Sequence, residues 1–237
     1  MTSTYIDVRD IPPLRHAEAM DLTTTGYERL LILLESLEEG DWARSTDCET
    51  WTIKDIVCHL RGEAEAFASM GVFVHQFRIS AREARTMGTD PVDAMNALQV
   101  KERSRLSPDE LVAGLRATAR RSVKRRRRMP APIRALPMKL PIVGRGSFGY
   151  LSDVIITRDV WMHQIDIALA ADKEAEQTAA YDGRLVADVV SDWARRHGRP
   201  FKLVLEGRAG GMYAQGDLSH PVGAGRGTGP LAHPALF

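Results

Sequence analysis

The sequence predicts a mainly α fold, a bundle of four amphipathic helices joined by one long connection, followed by a small α+β unit. Three observations carry this reading. Leucines recur at helical spacing near the N-terminal end, two later segments open on capping signals, and strand-like alternation appears only after residue 200. Leu22, Leu30, Leu31, Leu33, Leu34 and Leu37, with Glu28, Arg29, Glu35 and Glu38 between them, predict a helix over 17–37. Gly40 and Asp41 break it, and 42–51 is polar, with Asp47, Cys48 and Thr50 favouring a loop.

Thr52 and Asp55 stand three apart, the spacing of a capping box, so a second helix starts at about Ile53. Its stripe of Ile53, Ile56, Val57, Leu60, Ala64 and Phe67 faces a core, and His59 lies on the border of that stripe. A shorter helix fits 91–105. Ser107, Pro108 and Glu110 then supply an N-cap, a first-turn proline and a third-position carboxylate for a helix through Leu111, Leu115 and Val123. Pro130, Pro132 and Pro137 stop it, and 129–149 reads as a long connection before the fourth helix, 150–171. Beyond it, 182–197 is helical, 201–206 alternates as a half-buried strand, and 212–214 could open a second strand after Gly210-Gly211. The tail from Asp217 is mostly Gly, Pro, His and Ala and reads as truncated, not as the completion of a sheet.

Composition excludes several classes of function. Of 237 residues, 44% are hydrophobic and 27% charged, the balance of a globular chain. Lys plus Arg number 32 against 31 Asp plus Glu, so no long-range attraction to nucleic acid or anionic membrane is built into the whole protein. No apolar run reaches the eighteen or so residues of a membrane span, and the N-terminal stretch carries acids and prolines where a signal peptide would be basic and then apolar. Two cysteines without a CxxC pair suit a reducing cytoplasm. Lys124-Arg125-Arg126-Arg127-Arg128 reads as the solvated, dipole-complementing end of a helix, and no aromatic residues interleave with it for base stacking. Gly144-x-Gly146-x-x-Gly149 matches a dinucleotide fingerprint by letter, but no strand precedes it, so it is expected to be a flexible loop.

The chemistry-bearing pattern is Asp159 and His163 at i, i+4 on the fourth helix, with Asp166 one turn further. Such a pair forms a surface hydrogen bond in most helices; it can also aim a carboxylate oxygen and an imidazole nitrogen at one metal ion. Asp166 could orient the His163 ring or be a ligand itself. A third ligand must come from another helix, and His59 is the best placed. Two imidazoles and a carboxylate suit zinc, with nickel, iron or manganese compatible in ligand type, and three protein ligands leave a position open for a thiol, water or substrate. Cys58 faces away from His59 on its helix and Cys48 has no visible activating partner, so neither is expected to be a nucleophile. His16, His75, His197, His220 and His233 receive no role.

Asp41-Trp42, Cys48, Trp51-Thr-Ile-Lys-Asp-Ile-Val-Cys-His59-Leu60 and Arg158-Asp159-Val-Trp161-Met-His163-Gln-Ile-Asp166-Ile resemble the mycothiol-dependent maleylpyruvate isomerase family, part of the DinB-like superfamily of metal-binding four-helix bundles. The resemblance implies a DinB-like bundle over 15–172 and a small α+β C-terminal domain over 181–237. It implies His59, Asp159 and His163 as ligands of a divalent metal, zinc by preference, with Asp166 behind them or as an alternative ligand. The better-known isomerases have glutamate where this chain has Asp159, and an assisting C-terminal arginine of theirs has no match in 217–237. The implied activity is that of a mycothiol-using isomerase or S-transferase, in which the metal activates the thiol for addition to an electrophilic small molecule. The alternative is a non-catalytic metal-binding or stress-related DinB-like module.

Overall fold

The computed structural model describes residues 5–48, 50–140, 144–216 and, by backbone alone, 224–227. The chain divides into two compact units, His16–Ala175 and a smaller one that joins the N-terminal stretch to the segment after Glu176. In chain order the elements are β1 (Ile6–Asp7), α1 (His16–Glu35), α2 (Ile53–Ala68), α3 (Met70–Met87), α4 (Pro91–Arg103), α5 (Pro108–Arg127), the one-turn α6 (Ala131–Arg134), β2 (Pro137–Leu140), β3 (Gly144–Ser147), the short α7 (Phe148–Tyr150), α8 (Ile156–Ala170), α9 (Arg184–His197), β4 (Phe201–Leu205), β5 (Gly211–Gln215) and β6 (Ala224–Gly227).

In the larger unit α1 packs against α5 and α8, and α2 against α3, α4 and α5. Their shared core includes Met20, Leu30, Ile53, Ile56, Leu60, Leu111, Leu115 and Ile167, each fully buried. Both capping boxes form. Thr52 accepts from the Asp55 amide while Asp55 accepts from the Thr52 amide, and Ser107 and Glu110 do the same. Each covers two backbone donors that a helix start otherwise leaves unpaired. A π-helical turn over Leu151–Ile155 leads into α8.

Two parts of this unit depart from the expectations. Helix α3 was not foreseen, because its buried face is Gln76, Ser80 and Ala84, a helical repeat of polar and small residues that hydrophobic periodicity does not register. The connection after α5 is also not structureless. It holds α6 and an antiparallel β2–β3 hairpin, in which Gly144 and Gly146 pair with Leu140 and Met138, so the glycine run is part of a strand and no phosphate loop.

Close approach of α4 to α2 depends on Gly62. A Cβ there would lie 2.7 Å from Gln99 Cβ and 2.8 Å from Arg103 Nη1. Gly62→Ala should therefore lower stability by about 1–3 kcal/mol, since overpacked interfaces answer by shifting backbone. Urea unfolding of the variant checks this, and an unchanged midpoint would mean that α4 yields freely.

The smaller unit is a four-stranded sheet in the order β1-β5-β4-β6 with α9 against it. Leu203 of β4 faces Tyr213 of β5 in an antiparallel hairpin, and Ile6 of β1 pairs with Tyr213 from the parallel side. β6 runs parallel to β4, Lys202 opposite Ala224. The tail thus does add a strand, contrary to expectation. Ala224-Gly-Arg-Gly227 contains too few β-formers to show this in sequence, and main-chain pairing along β4 supplies what propensity lacks. His220 and His233 lie outside the described residues. Among the described residues no helix is long and apolar enough to cross a membrane.

Candidate metal centre

His59 is fixed on the well-capped α2, and Asp159 and His163 project from one face of α8, one turn apart. The structure brings the three together. His59 Nε2 lies 3.0 Å from Asp159 Oδ2, His163 Nε2 lies 3.6 Å from Asp159 Oδ1, and the two imidazoles meet edge to face with centroids 5.4 Å apart. One ligand atom from each residue falls within 4.8 Å of the others. The indole of Trp51 packs beside both rings, at 5.2 and 6.1 Å.

A chain of amides settles which nitrogen of His59 faces the centre. The Gly62 carbonyl can only accept, and it takes a hydrogen bond of 3.0 Å from Gln76 Nε2. Gln76 Oε1 therefore accepts from Gln99 Nε2 at 3.0 Å, and Gln99 Oε1 accepts from His59 Nδ1 at 2.8 Å. His59 then presents the lone pair of Nε2 to Asp159. Two acceptors facing each other at 3.0 Å require a proton or a metal cation between them, so the geometry fits a cation. His163 is set in the same way, with Nδ1 donating to Asp166 Oδ2 at 2.9 Å and Nε2 left for the centre.

Burial would raise the Asp159 carboxyl, but His163 and His59 beside it hold it down at about 2. For His163 burial acts downward, and Asp159 with Asp166 outweighs it, leaving the imidazole well above its ordinary value. Glu63, one turn beyond His59, is displaced far upward by burial and by the Asp159 charge. The shift favours the protonated form, which can donate to Asp159, and Oε1 is unpartnered among the described residues. Sequence reasoning passed over Glu63, Gln76 and Gln99. The i, i+4 spacing of His59 and Glu63 was a usable signal; the glutamines gave none, because their role depends on contacts between helices.

Two other expectations need correction. Arg126 is not part of a solvated helix end. It is fully buried, its Nη2 donating to Ser152 O and lying within reach of Thr157 and Thr23 hydroxyls at 3.3 and 3.4 Å, while only the flanking basic residues are exposed. A one-in-four inward position is what helical phase imposes on any run. Cys48 does have polar company, with Sγ 3.4 Å from Asp166 Oδ2 and 3.8 Å from His163 Nδ1. Cys58, by contrast, is wholly buried, and desolvation pushes its thiol up to about 11, which leaves it inert at neutral pH. His16 bonds Asp153 at 2.9 Å, His75 bonds Glu102 at 2.7 Å and His197 stacks on Trp193, all outside this cluster.

The profile of the mycothiol maleylpyruvate isomerase N-terminal domain matches residues 24–168. The chain belongs to that family. The matched stretch contains His59, Asp159, His163 and Asp166 and ends before the smaller unit. Among solved structures, the mycothiol-dependent maleylpyruvate isomerase is similar at 19% identity, with a TM-score of 0.54 over 86% of this chain and 78% of that one. A histidine-to-alanine variant of a mycothiol-dependent maleylpyruvate isomerase gives 18% identity and a TM-score of 0.53 over the same shares. At such identity these neighbours show that the maleylpyruvate isomerase fold is shared. No curated protein matches the chain.

Proposed function

We propose that this member of the maleylpyruvate isomerase family is an enzyme that uses a divalent metal, zinc by preference, to direct mycothiol onto an electrophilic small molecule, as an isomerase or an S-transferase. His59 Nε2, Asp159 and His163 Nε2 are its ligands. The observation that carries the reading is the pair of imidazole Nε2 atoms turned toward one carboxylate, each ring held from behind by a partner on its other nitrogen. That is how histidine ligands are supported in metal sites. Support also comes from the mycothiol dependence named for the structural neighbours.

When bound, the cation would supply charge and an open coordination position that favour the deprotonated form of a thiol near neutral pH. The chain's own residues do the rest. Gln99 fixes the His59 ring and Asp166 the His163 ring. Asp159 is the least buried of the three, its side chain 28% exposed against 6% for His59 and 11% for His163, so a thiol would enter from the Asp159 side. Trp51 covers both imidazoles with an apolar face that restricts water. Both cysteines are free, which suits a reducing cytoplasm.

Calorimetric titration of mycothiol into zinc-loaded and zinc-free protein tests this. Saturable binding to the zinc-loaded form alone is expected. Zinc uptake with no thiol response in any buffer would instead make the chain a non-catalytic metal-binding or stress-related module.

A further inference from the structure

His163 has two ring nitrogens, and the reading above uses one. Its Nδ1 faces a second group of ligand atoms on the opposite side of the ring, Asp166 Oδ2 at 2.9 Å and Cys48 Sγ at 3.8 Å, with Cys48 Sγ and Asp166 Oδ2 themselves 3.4 Å apart. The three atoms lie within 4.8 Å of one another, as those of the first group do. A tetrahedral zinc ion with a thiolate at about 2.3 Å and nitrogen or oxygen at about 2.0–2.2 Å separates its ligand atoms by roughly 3.3–3.6 Å, and the three observed edges bracket that range. Asp166 and His163 come from the rigid α8, and Cys48 from the loop between α1 and α2, which the Trp51–Cys48 turn and the Ser45–Thr52 bridge tie down.

We propose that Cys48, Asp166 and His163 Nδ1 form a second cation position, one that takes a thiophilic divalent ion such as zinc and shares the His163 imidazole with the first. It shares one ligand with the proposed catalytic centre but not His59 or Asp159. Charge balances across the pair. Filling the second position releases the Cys48 thiol proton and the His163 Nδ1 proton to solvent. The two carboxylates, the thiolate and the doubly deprotonated ring then offset two dications, so no net charge is confined. A sulfur ligand also selects. Zinc, cobalt or copper suits it, while magnesium and calcium, which require oxygen, do not. The competing account gives Cys48 no metal. In it Asp166 simply accepts from His163 and from the cysteine S–H, and the chain binds a single ion.

Cobalt(II) titration of the metal-free full-length protein separates the two, because a thiolate ligand adds a sulfur-to-cobalt charge-transfer band in the near ultraviolet. Wild type should take up two equivalents and show the band. His59→Ala should take up one and keep the band; Cys48→Ser and Cys48→Ala should each take up one and lack it. A single equivalent in wild type that requires His59, or two equivalents with no charge-transfer band, overturns the second position. A wild type that binds one equivalent with the band, unaffected by His59→Ala and abolished by Cys48→Ser, retains this position and removes the proposed catalytic one instead.

Discussion

His163→Ala is expected to leave the purified protein unable to hold the proposed metal and to abolish any mycothiol-dependent turnover, a fall of at least about 100-fold. The reason is geometric. His163 turns Nε2 toward Asp159 and Nδ1 toward Asp166 on the opposite side of the ring, and alanine removes the proposed Nε2 ligand and the anchor of Asp166 together. Gln99→Leu separates positioning from ligation. It leaves every ligand in place but frees the His59 ring and orphans the Gln76 carbonyl, so metal affinity should fall by about 10- to 100-fold while a saturated site still works. Metal analysis by mass spectrometry beside competition with a chelator reads both. Full metal retention by His163→Ala would remove the residue from the centre.

The metal-free protein is expected to be most stable in mildly acidic solution and to weaken toward alkaline pH, against the usual trend. Asp159 is depressed to about 2 from an unfolded value of about 3.9. Its contribution, about 2 kcal/mol, is therefore present above pH ~4 and lost as pH falls toward 2. His163 is raised, so its contribution is complete below about pH 6.5 and disappears as pH climbs through the folded value. Glu63 is raised as well, and a carboxyl kept neutral while its unfolded counterpart ionises costs stability from about pH 4 upward. The maximum thus falls at about pH 4, with a decline above it that steepens as His163 loses its proton. Zinc reverses the alkaline side, since it competes with the same protons and binds more tightly as they leave. Urea midpoints from pH 3 to 9 with chelator or with zinc would show the two curves diverging. Parallel curves would mean that the ion binds elsewhere.

That His59, Asp159 and His163 lie together was readable from sequence because all three sit on strongly signalled helices. The Thr52–Asp55 box fixes the phase of His59, and i, i+4 spacing alone places Asp159 beside His163. What was not readable depends on contacts between elements. Gln76 and Gln99 look like ordinary polar residues until α3 and α4 are laid over Gly62. Cys48 lies in a loop, where no periodicity predicts direction. Arg126 is hidden by its four basic neighbours, and a local count of charge cannot tell which of five faces inward. β1 and β6 are too short and too poor in β-branched residues to stand out before their partners are known.

Because the amide relay ends on a main-chain carbonyl, it runs in one direction only, and His59 inherits that direction. Moving the ring proton off Nδ1 would set its lone pair against the Gln99 oxygen, and the two glutamines cannot reverse to relieve this because the Gly62 carbonyl only accepts, so the ring is held in one tautomer. A ring so locked can exchange a proton only through Nε2, the atom that faces Asp159. Whatever proton it takes or gives therefore passes on the Asp159 side, never through the buried amides.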